Sequence, residues 1–451
     1  MNIQHLYKNE MQVVGGEKSP VSFLSRFRQG RVPADAPRRR RRAVRPGFDP
    51  LEGRQLLSLG AGSWQVSVTD GGTKNGSANA NAPNGAEAIA WVDNVNGYSE
   101  VVVRAFNTAK QAIGGEIRVD YSKAEYSVDD SVGVAIGNNG DFAVVWRNYN
   151  FLSHVSSVYV EQFGPSGNPI ALNRVGDSAY GFSDFTPDVA IDQSGNVLVS
   201  FVESINSRQE VVDVEEINAA GHMGVTLYVN NNPGFTFIDT KLAMSSNGSF
   251  AVGYDFTGPG YDGDWDLTLV RYPAGASRPN VAPIIDIQQG SPVDFAISAN
   301  SGGIFAVAMV DKNSNGTSKL DVTQVDNAGS STAKTVIDNT GHTLYHPAIA
   351  LANNGAYVVA YDTTSVLGRP GTLGVDIVEV NSAGSIGLAL LDAYGREVID
   401  PALSIDSYGN YIATFTGADG EIRDRGGLLP QIRYIPITPI PIVTLPGGLK
   451  I

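Results

Sequence analysis

Asp311-Lys312-Asn313-Ser314-Asn315-Gly316-Thr317 sets oxygen-bearing side chains at alternate positions ahead of a glycine. Calcium takes six to eight hard oxygen ligands, so Asp311, Asn313 and Asn315 are candidate metal ligands and calcium the candidate cofactor. Amides stand at the third and fifth positions, and Val322 stands where a bidentate glutamate closes such a loop, with Asp321 beside it. A plain Asn/Gly-rich hairpin accounts for the same residues. Asp262-Gly263-Asp264-Trp265-Asp266 is a second acidic loop, whose crowded carboxylates need water or a cation between them. Its Trp265 is a platform for a sugar ring or half-buried packing against its own strand. His342 and His346 are four apart, a metal-pair spacing on a helix, but their surroundings read as loop or strand. Asp213, Glu215 and Glu216 are the densest acids within one strand. Cleaving a glycosidic bond takes two carboxylates roughly 5–10 Å apart, and the sequence brings no acid from elsewhere to meet these. No Ser/His/Asp set, phosphate loop or dinucleotide fingerprint sits in the strand–helix context it requires.

The elements that must position these residues repeat. Gly85, Gly140, Gly195, Gly248, Gly303, Gly355 and Gly409 are each followed six residues later by a bulky side chain: Trp91, Trp146, Phe201, Tyr254, Met309, Tyr361 and Phe415. A period near ~54 residues marks an array of equivalent supersecondary units. In the second unit, Val132–Ile136, Phe142–Trp146, Ser157–Phe163 and Ile170–Val175 are β-branched or aromatic runs separated by Gly, Asn, Pro and Ser turns. Four antiparallel strands per unit are one propeller blade. The strand after each glycine is apolar on both faces, as an inner strand between neighbouring blades must be. The third strand sets Arg104, Glu161, Glu215 and Glu379 among apolar residues, which predicts one face toward solvent or a blade edge. The chain therefore reads as an all-β, seven-bladed β-propeller of four-stranded antiparallel blades over residues 59–445. Trp64–Val68 is expected to open its first blade. Residues 1–58 read as a basic export leader and 446–451 as a tail, and the alternating prolines of Ile435–Ile442 as an extended edge segment.

Charge divides along the same boundary. Residues 1–60 hold 12 Lys/Arg against 5 Asp/Glu, and the remainder 20 against 41. An acidic body repels nucleic acid, so no nucleic-acid partner is expected. The chain has no cysteine, hence no disulfide or thiolate metal site. No run of 18 apolar residues is present to form a transmembrane helix.

After the block Arg38–Arg42 come Leu51-Glu52-Gly53-Arg54-Gln55-Leu56-Leu57-Ser58. This order resembles the N-terminal motif of many large planctomycete surface and secreted proteins: an arginine cluster, then Leu-Glu-x-Arg-x-Leu-Leu-Ser, then the mature body. Gly53 stands where that family often has proline, and an ordinary secretory h-region is absent. The resemblance implies export. Pro187-Asp188-Val189-Ala190-Ile191-Asp192-Gln193-Ser194-Gly195-Asn196 and Val144-Val145-Trp146 resemble repeats of bacterial extracellular proteins, which implies the same compartment and carries no activity. Ser404-Ile405-Asp406-Ser407-Tyr408-Gly409 resembles the Asp-box of sialidases, but sets Asp and Gly three apart rather than two and so marks the repeat turn.

The leading functional expectation is a non-catalytic extracellular binding or surface-structural module whose partner is a polysaccharide or protein. The alternatives are a secreted carbohydrate-active enzyme, glycosidase or lyase in type, at the channel mouth, and a calcium-stabilised adhesion module. Carboxylates converging on the mouth outside the repeat pattern favour the enzyme. Small apolar residues lining the channel, with Val134, Ile136, Val189 and Ile191 as candidates, favour the scaffold.

Overall fold

A hairpin needs one residue at positive φ where the chain reverses, and each repeat supplies a glycine there. All seven turn glycines have φ between 79° and 90°. At Gly195 the N–H donates to the Asp192 carbonyl (3.2 Å), while Asp192 Oδ1 accepts the N–H groups of Ser194 and Asn196. Asp406 caps the Gly409 turn in the same way, so the Asp-box-like motif is a turn device.

The computed structural model describes residues 64–68, 73–95, 98–119, 127–176, 183–206, 209–230, 233–258, 265–274, 284–290, 292–312, 318–338, 343–364, 374–394, 399–417 and 420–429. All belong to the unit Leu57–Ile451. Among them are 28 strands and no helix. They form seven four-stranded antiparallel sheets, a seven-bladed β-propeller. The innermost strands are β2 (Thr73–Asn81), β6 (Ser127–Ile136), β10 (Asp184–Ile191), β14 (Thr236–Met244), β18 (Pro292–Ala299), β22 (Leu344–Leu351) and β26 (Ile399–Ile405). Each lies against the next, and β26 returns to β2, closing the ring.

The cores sit between blades. Trp91, Trp146, Phe201, Tyr254, Met309, Tyr361 and Phe415 are all buried. Phe201 packs with Ala143, Val145, Val158 and Val160 of the preceding blade, and Trp146 with Ala88, Ala90 and Val103 of the one before. Val134, Ile136 and Val189 belong to these inter-blade clusters, and Ile191 packs against one. Truncating such a side chain to alanine costs about 3–5 kcal/mol for an aromatic. The polar residues of the third strands stitch blades together more than they meet water. Glu379 Oε1 accepts the Tyr411 hydroxyl (2.8 Å), Glu215 Oε2 accepts the Gly176 N–H (3.1 Å), and Arg104 donates to the Val66 carbonyl (2.6 Å).

Closure corrects one expectation. Trp64–Val68 does not open the first blade. Trp64–Gln65 (β1) pairs with β28 (Ile422–Leu428) as the outermost strand of the last blade. Val66 N donates to the Ile422 carbonyl (2.7 Å), and Ser67 Oγ accepts the Ile422 N–H (3.1 Å). The last repeat contributes three strands and leaves β28 with an open edge; the start of the body satisfies its ladder and joins both ends of the ring. Blade 1 instead begins at Thr73-Lys74-Asn75-Gly76-Ser77-Ala78-Asn79-Ala80-Asn81. Its polar alternation hides it from a search for apolar strands. Asn79 Nδ2 bonds the Ala402 carbonyl (3.0 Å) and Thr414 Oγ1 (3.0 Å) of the last blade. The leader (1–58), the tail (446–451) and Ile435–Ile442 lie outside the described residues.

Candidate functional site at the channel mouth

Every innermost strand carries a bulge near its start, at the ring end opposite the turn glycines. The pairing slips between Asn75 and Ser77, Asp130 and Gly133, Phe185 and Asp188, Phe237 and Thr240, Pro292 and Asp294, Tyr345 and Ala348, and Ile399 and Ala402. A bulge frees one residue from the ladder and re-aims its side chain. Nine residues before each turn glycine, at these bulges, stand Gly76, Ser131, Thr186, Asp239, Asp294, His346 and Asp400. Ser131, Thr186, His346 and Asp400 adopt positive φ (52°, 50°, 43° and 56°), which a side chain with Cβ tolerates poorly. Chemistry-bearing side chains from blades 4 to 7 thus meet at one end, where the second-to-third strand loops and the blade-to-blade connections also emerge.

Backbone groups at and just after the bulges find carboxylates, several from neighbouring blades. Asp188 Oδ2 accepts Leu242 N–H (2.8 Å), Asp255 Oδ1 accepts Asp239 N–H (2.7 Å), Asp294 Oδ2 accepts His346 N–H (2.8 Å), and Asp362 Oδ2 accepts Asp400 N–H (3.2 Å). Two cations sit among them. Lys241 Nζ is 2.6 Å from Asp239 Oδ2. His346 Nδ1 is 2.7 Å from Asp362 Oδ2 and 3.2 Å from Asp400 Oδ1.

Burial penalises charge on the acids and pushes Asp188 and Asp255 each up to about 6. It also raises Asp294 and Asp362, against the opposing pull of Lys241 and His346 respectively. For Lys241 burial works against the charge, but Asp239 and Asp188 outweigh it and hold the ammonium above its ordinary range. The hydrogen bond to Asp362, aided by Asp400, raises His346 to about 9 despite burial. At neutral pH the mouth therefore presents an imidazolium and an ammonium within a larger set of carboxyls, two of which titrate near the pH where a proton donor is most useful.

The residues singled out from sequence fare differently. Asp311 lies next to last in the strand Phe305–Lys312, where Lys319 Nζ joins it (3.1 Å) to Asp321 (2.8 Å). Asn313 and Asn315 lie outside the described residues, as do Asp262, Asp264 and His342. Trp265 is half-buried opposite Gly290, and Asp266 is buried. Asp213 and Glu215 are buried on the face of blade 3 turned to blade 2. The acid that meets Asp213 is Glu203 of the same blade, and burial first, then Glu203, Glu215 and Asp184, push Asp213 up to about 8. Asp188, Asp239, Lys241, Asp255, Asp294, Asp362 and Asp400 escape a search for local motifs. The signal that could have found them is the repeat register, nine or seven residues before and seven after each turn glycine.

No family model matches the chain, and no curated protein matches it. Solved structures do share its shape. An ulvan lyase of a new polysaccharide lyase family is 9% identical, with a TM-score of 0.50 over 80% of this chain and 94% of its own. A Hadza microbial sialidase is 11% identical, with a TM-score of 0.49 over 74% of each chain. An α-L-arabinanase of Penicillium chrysogenum is 10% identical, with a TM-score of 0.47 over 79% of this chain and 94% of its own. At such identities the likeness is one of fold.

Proposed function

We propose that the protein is an exported carbohydrate-active propeller whose bulged channel mouth binds a polysaccharide and cleaves it. The carrying observation is the convergence of Asp188, Asp239, Asp255, Asp294, Asp362 and Asp400 from five blades on one end of the ring, with Lys241 and His346 among them. These acids lie on the repeat register rather than outside it, and it is their convergence with two cations at one end that supports the enzyme reading. Val134, Ile136 and Val189 contribute to the clusters between blades. Asp188 is the proton donor in this reading, since burial holds its carboxyl protonated up to about pH 6 and it remains half-buried rather than sealed. Asp239, paired to Lys241 on the next blade, is the second carboxylate. The charge balance selects substrate: carboxylates outnumber cations, so a neutral or basic glycan fits and a sulfated or uronate-rich one is repelled. The leader motif supports a location outside the cytoplasm.

The test is product release from a panel of neutral, basic and acidic polysaccharides by the whole protein. Cleavage of a neutral or basic glycan is expected, with kcat in Asp188→Asn reduced about 100-fold or more. Cleavage undiminished in Asp188→Asn and Asp239→Asn, or no binding and no product across the panel, would overturn the reading.

A further inference from the structure

Among the described residues, His346, Asp362 and Asp400 form a group whose ligand-capable atoms all lie within 4.8 Å of one another. They come from three strands in two blades: β22, the strand Tyr357–Thr363, and β26. Asp362 is the centre of the group and is almost wholly buried. Its Oδ2 receives His346 and the Asp400 N–H, yet its Oδ1 is buried with no hydrogen-bond partner. A carboxylate oxygen withdrawn from water with nothing to accept from is costly. The imidazolium of His346 satisfies Oδ2 alone, and a metal ion standing in place of its Nδ1 proton would also give Oδ1 a partner.

We propose that His346 Nδ1, Asp362 and Asp400 are the protein ligands of a divalent transition metal of the zinc class. One imidazole and two carboxylates fill three of four tetrahedral positions and leave the fourth for water or a substrate oxygen. Tetrahedral ligands at ~2.0–2.1 Å from zinc are roughly 3.3 Å apart, and the separations of 2.7 and 3.2 Å from His346 Nδ1 need little adjustment to admit one. The ligands are positioned by backbone hydrogen bonds. Asp294 accepts the His346 N–H and fixes the bulge that carries the imidazole, and the Asp400 N–H holds Asp362. His346 is more than half exposed, which leaves the ion a way in. The imidazole argues against calcium, whose shell is built from hard oxygens. The described partners of His346 come from another strand and the next blade.

The test is calorimetric titration of the EDTA-treated, full-length protein with Zn2+, and separately with Ca2+, alongside cobalt(II) titration followed by visible absorption. One Zn2+ per chain is expected, with a cobalt spectrum of low coordination number. Zn2+ affinity is expected to fall at least 100-fold in His346→Gln and in Asp362→Asn. Circular dichroism establishes that each variant is folded, and Asp192→Asn, in a glycine turn at the opposite end of the ring, is expected to leave binding unchanged. Absence of Zn2+ binding by the wild-type protein, equal affinity in folded His346→Gln, or Ca2+ bound as tightly as Zn2+ would each overturn the proposal. The readout is the metal itself, so failure here leaves the polysaccharide reading standing.

Discussion

Replacing Asp213 with asparagine is expected to stabilise the protein above neutral pH, although the residue is buried and sits among other acids. Asp213 is 1% exposed, faces Phe201 across the ladder, and is held protonated up to about 8 by burial and by Glu203, Glu215 and Asp184. The sign follows from where the proton resides. Below about pH 4 the folded and unfolded chains both carry it, and the site adds no pH dependence. As pH rises the unfolded carboxyl ionises first and the folded one resists, so stability falls, and the fall is complete above about pH 8. At ~1.4 kcal/mol per pH unit the ceiling is roughly 6 kcal/mol; because Asp213 interacts strongly with the acids beside it, a gain on the order of 2–3 kcal/mol is expected for Asp213→Asn at pH 8. The amide N–H takes the place of the carboxyl proton toward Glu203. For a chain of 451 residues this is about 2–3 °C in Tm. Urea denaturation in EDTA at pH 5, 6, 7 and 8 measures it: the variant's midpoint should sit near that of the wild type at pH 5 and rise above it progressively, with unchanged m. A variant as destabilised at pH 8 as at pH 5 would refute the account of this buried acid.

Three further outcomes test the fold that positions the site. Gly195→Ala places a Cβ at φ +84° and 3.2 Å from the Ala219 Cβ, and is expected to cost about 1–2 kcal/mol, read as a lowered urea midpoint. Lys74 is fully buried, 3.3 Å from Glu421 and 3.9 Å from Asp93. Lys74→Met should destabilise by about 3–5 kcal/mol by stranding those carboxylates, and adding Asp93→Asn should recover part of the loss in a double-mutant cycle. Val66→Pro removes the N–H that reaches the Ile422 carbonyl and should loosen the ring closure by about 2 kcal/mol or more, seen as faster proteolysis within Ile422–Leu428.

The architecture was legible because it is written locally and many times over. A reversal at positive φ calls for glycine, and the space between two sheets calls for a large side chain six residues later; both needs recur in every blade. Gly195 and Phe201 each announce themselves within a few residues of chain. The start of the ring was not legible, because Trp64–Val68 reads as a strand wherever it is placed. Only the open edge of β28, more than 350 residues away, decides which blade takes it. Thr73–Asn81 was hidden for the opposite reason: its polar side chains look like a loop until Asn79 is seen bonding the last blade.

The mouth belongs wholly to tertiary structure. Asp188, Asp239, Asp294, Asp362 and Asp400 stand alone in sequence, each an unremarkable acid near a strand end. The bulges turn their neighbours out of the ladder, and ring closure brings blades 3 to 7 to a common end. His346 could be noticed from sequence only beside His342, whereas the carboxylates that hold it arrive from a second strand of its own blade and from the next. Sequence determined the repeat, the turns and the blade count, because those rest on short-range sterics and burial. Which charges meet, and hence which protons and ions the mouth can hold, was decided by the geometry of seven sheets around one axis.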